Sequence, residues 1–182
     1  MKQIVAVLLV CLAVSGCRAQ STGGMKMHRV QAGKPDQSGW ITADSTFGRF
    51  SVRVPLSFND FTVEDSAPSS LTRKVEVVGC KSSEGIKFSA SKIFYKAPGT
   101  SAKQFEKMKS GGGLPDATVT PAKAGAHEAV DIAFGDSSMR ANQRAVLMGE
   151  EIYVLIVEWP MQQRTLAATL VPTFLDSLKI SE

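Results

Sequence analysis

The sequence predicts an α+β domain in which an antiparallel β-sheet of about six strands is covered by two helices. Three observations predict it. Apolar and polar residues alternate in several segments between residues 50 and 159, which is the period of half-buried strands. Short turns such as Gly149-Glu150 join neighbouring segments, which favours antiparallel hairpins. Two stretches, 101–110 and 160–178, place apolar residues at helical spacing.

The first half of the domain is predicted to contain three strands. The alternation of 50–54 predicts a strand that ends at Pro55. Residues 56–72 contain an Asn-Asp pair and a Pro-Ser-Ser run, so they are predicted to be a loop. Residues 73–80 and 86–95 alternate again across a short Ser/Gly turn, which predicts a hairpin.

A short helix is predicted over 101–110. Ser101 with Gln104 resembles an N-terminal capping box, and three consecutive glycines from Gly111 end the helix. The glycines follow a helix rather than precede one, and no Gly-Lys-Ser/Thr comes after them. They therefore do not indicate a phosphate-binding loop.

Further strands are predicted over residues 117–121, 128–134, 139–148 and 151–159. The last segment is apolar on both faces, which predicts a central strand covered on both sides. Residues 160–178 form the most amphipathic stretch of the chain, and Pro172 inside it predicts a kink or two abutting helices.

Three motifs in this order resemble a known family. They are F-S-V-R-V-P at 50–55, E-E-I-Y-V-L at 150–155 and F-L-D-S-L-K at 174–179. Over about residues 47–180 the chain is similar to the PsbP-like family. The resemblance implies an α-β-α sandwich with an antiparallel sheet. It implies no activity, because function lies in sites that differ between members of a fold, and characterised members mostly bind other proteins.

The N-terminal segment has the pattern of a signal peptide. Lys2 precedes an uncharged apolar run over 4–14, which is shorter than the roughly 20 residues that span a bilayer. Val14-Ser15-Gly16-Cys17 then resembles the lipobox of bacterial lipoproteins. That resemblance implies cleavage between Gly16 and Cys17, with a diacylglycerol thioether on Cys17 and often acylation (palmitate-type chains) of the new amino group. Two or three such chains give stable attachment to a membrane.

Cleavage there predicts a signal peptide over 1–16, a lipidated cysteine and flexible tether over 17–40, and a domain over 41–182. The tether prediction rests on a composition rich in Gly, Ser, Gln and Lys. A secretory signal cleaved near Ala19 is the alternative. By resemblance to enterobacterial lipoproteins, Arg18 in place of Asp favours the outer membrane, facing the periplasm, if the cell is Gram-negative.

The charge and the cysteine content limit the kinds of partner and of covalent link that we expect for this chain. The net charge of +4 falls to +3 when the segment with Lys2 is removed, and the basic residues are not clustered. We therefore expect no nucleic acid partner. Cys80 is the only cysteine left after removal of Cys11 and lipidation of Cys17, so no intramolecular disulfide is expected. A reactive thiol and a small buried apolar side chain are the two interpretations, and the second is favoured because no His lies nearby.

Candidate ligand-binding residues are few. Arg140 and Arg144 share a face of one predicted strand, where they could receive an anion, and His127 lies at the start of another. An exposed sheet face is the alternative. His127-Glu128 begins like the zinc motif H-E-x-x-H, but the second His is missing, so no metal or cofactor is predicted.

The sequence shows no catalytic motif, and we expect a non-enzymatic protein held at a membrane through Cys17. A role in binding a protein partner or supporting assembly is the leading expectation. A small-ligand or ion-binding protein is the second, and a hydrolase with an unrecognised site is the third.

Overall fold

The structure, a computed structural model, describes residues 24–114 and 116–181. Eight strands form one antiparallel sheet, in the spatial order β1 (Met25–Ala32), β4 (Phe58–Glu64), β5 (Thr72–Lys81), β6 (Lys87–Tyr95), β10 (Glu151–Pro160), β9 (Met139–Met148), β8 (His127–Gly135) and β7 (Thr118–Ala124). A second sheet has the order β11 (Lys179–Ile180), β3 (Phe50–Val54) and β2 (Ile41–Asp44). The helices are α1 (Thr100–Lys109) and α2 (Arg164–Leu175), and a 3-10 turn, Met161–Gln163, precedes α2.

The large sheet separates two apolar cores, and β10 contributes to both. Ile152, Val154 and Ile156 face one core, to which α1 contributes Phe105 and Met108. The residues that alternate with them, Tyr153, Leu155 and Val157, face a second core, which is covered by the small sheet and α2. The expected central strand with both faces covered is therefore confirmed.

The antiparallel sheet, its predicted strands and the two helices are confirmed, but the expected number of strands is wrong. The described residues contain eleven strands in two sheets. Four strands were not predicted, β1, β2, β4 and β11; β2 and β11 are only four and two residues long, which is too short for periodicity to show.

The expected tether over 17–40 is wrong for residues 25–32, which form β1 and pair with β4. The strand lies at an edge and most of its side chains are exposed, so it lacks the apolar alternation that identifies buried strands. Beyond it, the Asp36 Oδ1 atom accepts hydrogen bonds from the backbone N–H groups of Ser38 (2.8 Å) and Trp40 (3.1 Å). The domain therefore includes residues from Met25 onward, rather than beginning at residue 41.

The loop expected over 56–72 contains β4. Its inward-facing side chains are Phe58, Asp60 and Thr62, and all three are buried. Two polar side chains on the inner face hide the alternation, and the Asn59-Asp60 pair reads as a turn. The error comes from polar residues that face the interior.

The N-terminus of α1 and the course of α2 both differ from what the sequence indicates. The residue that caps α1 is Gly99, and no side chain caps the helix. The Ser101 hydroxyl instead donates to the Glu150 carbonyl at 2.7 Å, so the capping box is wrong. Pro172 lies inside α2, which is one helix with a 3-10 turn before it.

The predicted signal peptide, Gly16 and Cys17 lie outside the described residues. Within 24–114 and 116–181, no helix is long and apolar enough to cross a bilayer.

Candidate functional site

A cavity of about 470 Å³ opens beside β4, β5 and β6, near the turn that joins β5 to β6. The loop after β3 supplies Leu56 and Ser57 to its wall, and the edge strand β1 supplies Gln31. This volume lies within the range of about 300–1,000 Å³ that is typical of small-ligand sites. The cavity is thus large enough for a small organic molecule.

The inner wall of the cavity is mainly apolar. Phe61, Val77 and Phe88 line it and are buried, and Leu56 adds an exposed apolar side chain. Gly79 lies on β5, next to β6. A Cβ atom at this position would come within 2.9 Å of the carbonyl oxygen of Phe88 on β6. The close approach of β5 and β6 requires glycine at this position.

Lys81 and Lys87 give the cavity its charge. They are directly opposite each other on β5 and β6, and none of the described residues that line the cavity is acidic. Lys87 Nζ lies 3.9 Å from Glu158 Oε2, whereas Lys81 has no ion pair among the described residues. Like charges opposite each other on adjacent strands repel, and a bound anion would relieve that repulsion.

Cys80 also lines the cavity, and its thiol is not activated. Burial raises the pKa of the Cys80 thiol to about 12. The side chain packs against the core that lies under α2. The thiol therefore stays protonated at neutral pH, in agreement with the interpretation of Cys80 as a small apolar residue.

A row of buried polar side chains crosses the opposite face of the same strands. We call it the buried polar row; its members are Asp60, Thr62, Glu76 and Lys92. Neighbouring strands bring Thr62, Glu76 and Lys92 into register. Buried charges are stable only when they are paired or hydrogen-bonded, so each requires partners.

The centre of the row joins three groups in the order His28, Thr62, Glu76. The Thr62 hydroxyl donates to Glu76 Oε2 at 2.5 Å, and His28 Nε2 lies 2.7 Å from the same hydroxyl. Because the hydroxyl proton goes to the carboxylate, His28 Nε2 must be the donor. In a catalytic triad the imidazole lies between hydroxyl and carboxylate, so this order is not that of a triad, and both Thr62 and Glu76 are buried.

Charged neighbours pair with Glu76, in the middle of the row, and with Lys92, at one end of it. Lys74 Nζ lies 2.9 Å from Glu76 Oε1, and Lys92 Nζ lies 2.6 Å from Glu151 Oε1. Glu151 also accepts a hydrogen bond from the Tyr153 hydroxyl at 2.9 Å. Burial, followed by this bond, raises the pKa of Tyr153. The partners neutralise the buried charges, which is typical of a structural network.

Asp60 ends the row beneath the loop at residues 45–49. Its Oδ2 atom accepts hydrogen bonds from the backbone N–H of Thr46 at 3.0 Å and from the Thr46 hydroxyl. Arg29 Nε lies 3.6 Å from the same oxygen. Oδ1 is buried without a hydrogen bond among the described residues. Asp60 thereby holds both the loop and β1 against the sheet.

The structure places the three candidate residues from the sequence apart. Arg144 binds Asp131 through Nε (2.7 Å) and Nη2 (2.8 Å), and its Nη1 binds Asp176 at 2.7 Å. Arg140 is exposed opposite Gly135, whereas His127 lies at the other end of β8, opposite Ala124. Eight residues of strand separate the two ends, which is about 26 Å. None of the three lines either of the two cavities described for residues 24–114 and 116–181.

In the described part of the chain, no group of three or more His, Cys, Asp or Glu side chains is arranged to hold a metal ion. His127 and Glu128 lie on opposite faces of β8, as expected for neighbours in a strand.

The domain is similar to solved structures of other proteins, at low sequence identity. No protein-family model matches the chain, and no curated protein matches it. The domain is similar to cyanobacterial PsbP (CyanoP) from Synechocystis sp. PCC 6803, at 10% identity and a TM-score of 0.46, over 82% of this chain and 96% of that one. It is also similar to LpqN, involved in cell envelope biogenesis of Mycobacterium tuberculosis, at 10% identity and a TM-score of 0.39, over 91% and 87%. Such values assign neither an activity nor a partner to this chain.

Sequence reasoning missed the cavity and the buried polar row. One signal for the row was available: Glu76 interrupts the apolar run Val75–Val78, where a charged residue requires a buried partner. Lys81 and Lys87 were visible as charges on either side of a turn, but the loop that closes the cavity was not.

Proposed function

We propose that this chain is an envelope lipoprotein whose domain acts by non-covalent binding rather than by catalysis. The observation that carries the anchor is Val14-Ser15-Gly16-Cys17 after an apolar run, eight residues before β1 begins at Met25. Lipid on Cys17 then holds the domain at the membrane. Arg18 favours the periplasmic face of the outer membrane if the cell is Gram-negative.

Substitution of the lipidated residue tests the anchor. Cys17→Ser should move the chain from the membrane fraction to the soluble fraction and abolish incorporation of labelled palmitate. Cys11→Ser, in the apolar run, is the matched control and should leave both unchanged. If the Cys17→Ser chain is processed normally and stays on the membrane, the anchor is wrong.

For the domain, we propose that the cavity beside β4–β6 binds a small amphipathic anion. Its apolar wall, which includes Phe61 and Val77, would receive the body of the ligand. Lys81 and Lys87 would receive its carboxylate or phosphate, because both line the cavity and no acidic side chain does. This is the second of the functions expected from the sequence, placed at residues other than those expected.

Octanoate and octanol form a matched pair of probes, since they differ in charge but share an apolar body. Calorimetric titration should show tighter binding of octanoate. Lys81→Gln with Lys87→Gln should weaken it about tenfold, or 1.4 kcal/mol, and leave octanol unchanged. Lys123→Gln, an exposed lysine on the far strand β7, is the control. Equal binding of both probes before substitution would contradict the proposal.

Two observations on possible nucleophiles, Cys80 and Thr62, support the proposal that the domain does not act by catalysis. The Cys80 thiol is protonated, and the Thr62 hydroxyl, which donates a hydrogen bond to Glu76, is buried and lines neither of the two described cavities. Within the cavity, no hydrogen bond joins Cys80, Lys81 and Lys87. A hydrolase would need a nucleophile and a base within hydrogen-bond reach.

A protein partner is the second candidate, and Phe47 favours it. Its side chain is 54% exposed and lies edge-on to His28, with ring centroids 4.7 Å apart. Exposed aromatic residues are frequent at the centres of protein interfaces. A photo-crosslinking residue at position 47 should give one product in membranes that the same residue at Leu166, which is 41% exposed, does not give. Identical products at both positions would contradict it.

A further inference from the structure

The edge strand β1 carries an unusual concentration of exposed apolar side chains. Of the eight large apolar residues that are exposed in the described chain, Met25, Met27 and Val30 lie in this one strand. Their exposed fractions are 48%, 42% and 66%. In an edge strand of eight residues, three such side chains form a surface that some partner would cover.

The charges around these side chains are mostly positive. Lys26 alternates with the two methionines, so its side chain is on the other face of the same edge, and Lys34 follows the strand; both are exposed and have no ion pair among the described residues. A flat partner would therefore meet the edge of the sheet rather than one of its faces. Arg29 is only partly engaged, at 3.6 Å from Asp60. Glu64, at the end of β4, is a negatively charged residue near this strand; its backbone N–H donates a hydrogen bond to the carbonyl of Gly24. The surface therefore suits a partner with negatively charged groups on its surface and an apolar region beneath them.

The position of the strand in the chain points to the same partner. Met25 follows Cys17 by eight residues, which span at most about 29 Å when fully extended. A domain of about 150 residues has a radius of gyration near 15 Å, so it is wider than this span. A lipid on Cys17 would consequently keep β1 closer to the bilayer than the opposite edge of the sheet.

The form of the edge disfavours an added strand from another protein. The pairing of β1 with β4 shifts in register between Met27 and Arg29 and again between Arg29 and Ala32. Such bulges interrupt the regular ladder that strand addition requires. A bilayer needs no backbone register, since it accepts apolar side chains and cations directly.

We propose that the surface formed by Met25, Lys26, Met27, Val30 and Lys34 rests on anionic lipid headgroups and orients the domain on the membrane. This proposal rests on the lipid anchor at Cys17. The methionine side chains enter the headgroup region, and the lysines contact anionic lipid.

A polarity-sensitive dye tests the contact on the full chain, purified from membranes and reconstituted into nanodiscs. The dye is placed at Met27→Cys in a Cys80→Ser background. Met139→Cys is the matched control, because Met139 is 36% exposed and lies on β9, five strands away, or about 24 Å. Discs contain phosphatidylcholine alone or mixed with phosphatidylglycerol, and a lipid-borne quencher is present in each.

With phosphatidylglycerol, emission at position 27 should shift to the blue and be quenched at least twice as strongly as emission at position 139. Lys26→Glu with Lys34→Glu should remove most of that difference. Equal quenching at the two positions, in chains that elute with the discs, would overturn the proposal and leave the anchor intact. Chains that do not elute with the discs would refute both. A blue shift that grows with protein concentration without lipid would assign the surface to a second copy and overturn the proposal.

Discussion

Glu76 is 1% exposed between two apolar residues, and its carboxylate is held by Thr62 and Lys74. The buried carboxylate depends on these contacts because water does not reach it. Hydrogen bonds to a buried charged group contribute about 1.5–3 kcal/mol each. At the scale of residues, the stability of the β4–β5 pair should therefore be sensitive to single polar atoms.

Thr62→Val removes one such atom while keeping the shape of the side chain. We expect the free energy of unfolding to fall by about 2 kcal/mol, because Glu76 loses a hydrogen bond and His28 loses its acceptor. Thr42→Val is the control; Thr42 is exposed on β2, and its substitution should change stability by less than about 0.5 kcal/mol. Equal effects in urea denaturation would show that the row contributes nothing specific.

Cys80 gives a pH-dependent prediction. Because burial raises its pKa to about 12, alkylation of the folded chain by iodoacetamide should be slow at pH 8 and should keep rising with pH up to about pH 12. Alkylation of the urea-unfolded chain should be much faster at pH 8 and should level off above the ordinary pKa of 9.0. The raised folded-state pKa also means that stability, full below pH 9, declines as the pH rises toward 12. Equal rates for folded and unfolded chains at pH 8 would contradict the burial of the thiol.

At the scale of elements, Arg144 joins the large sheet to α2. Its guanidinium binds Asp131 on β8 and Asp176 immediately after the helix, and the pKa of Arg144 is raised chiefly by the hydrogen bond to Asp131. A lysine cannot form the same forked contact. Arg144 therefore holds an interface together, although the sequence suggested a ligand site.

Arg144→Lys should lower the free energy of unfolding by about 1–2 kcal/mol, since at least one charge-assisted hydrogen bond is lost. Arg140→Lys, on the exposed end of the same strand, should have almost no effect. If the cavity binds octanoate, neither substitution should change that binding. A loss of binding with Arg144→Lys and unchanged stability would return Arg144 to the role of a ligand residue.

How far the sequence predicts the elements depends on which side chains face the interior. β10 is apolar on both faces, so its central place is evident from the sequence alone. β4 turns Asp60 and Thr62 inward, and β1 turns most of its side chains outward, so neither shows a strand period. The cavity takes its walls from the loop at Leu56, from Gln31 on β1 and from the sheet, and this tertiary arrangement has no local signal in the sequence.

At the scale of the whole molecule, the position of β1 changes the expected arrangement at the membrane. Strand β1 begins at Met25, so seven residues, 18–24, lie between it and Cys17, whereas the expected tether had 23, 18–40. A short connection favours a domain that stays at the bilayer surface. The lipid anchor is therefore the claim on which the location of the cavity and of the β1 surface depends.

The mass of the N-terminal peptide from the mature chain, extracted from membranes, tests that claim most directly. The account predicts that this peptide begins at Cys17 and carries a diacylglycerol thioether on that residue. A mature chain that begins at Gln20 or nearby without lipid, or one that still begins at Met1, would contradict it.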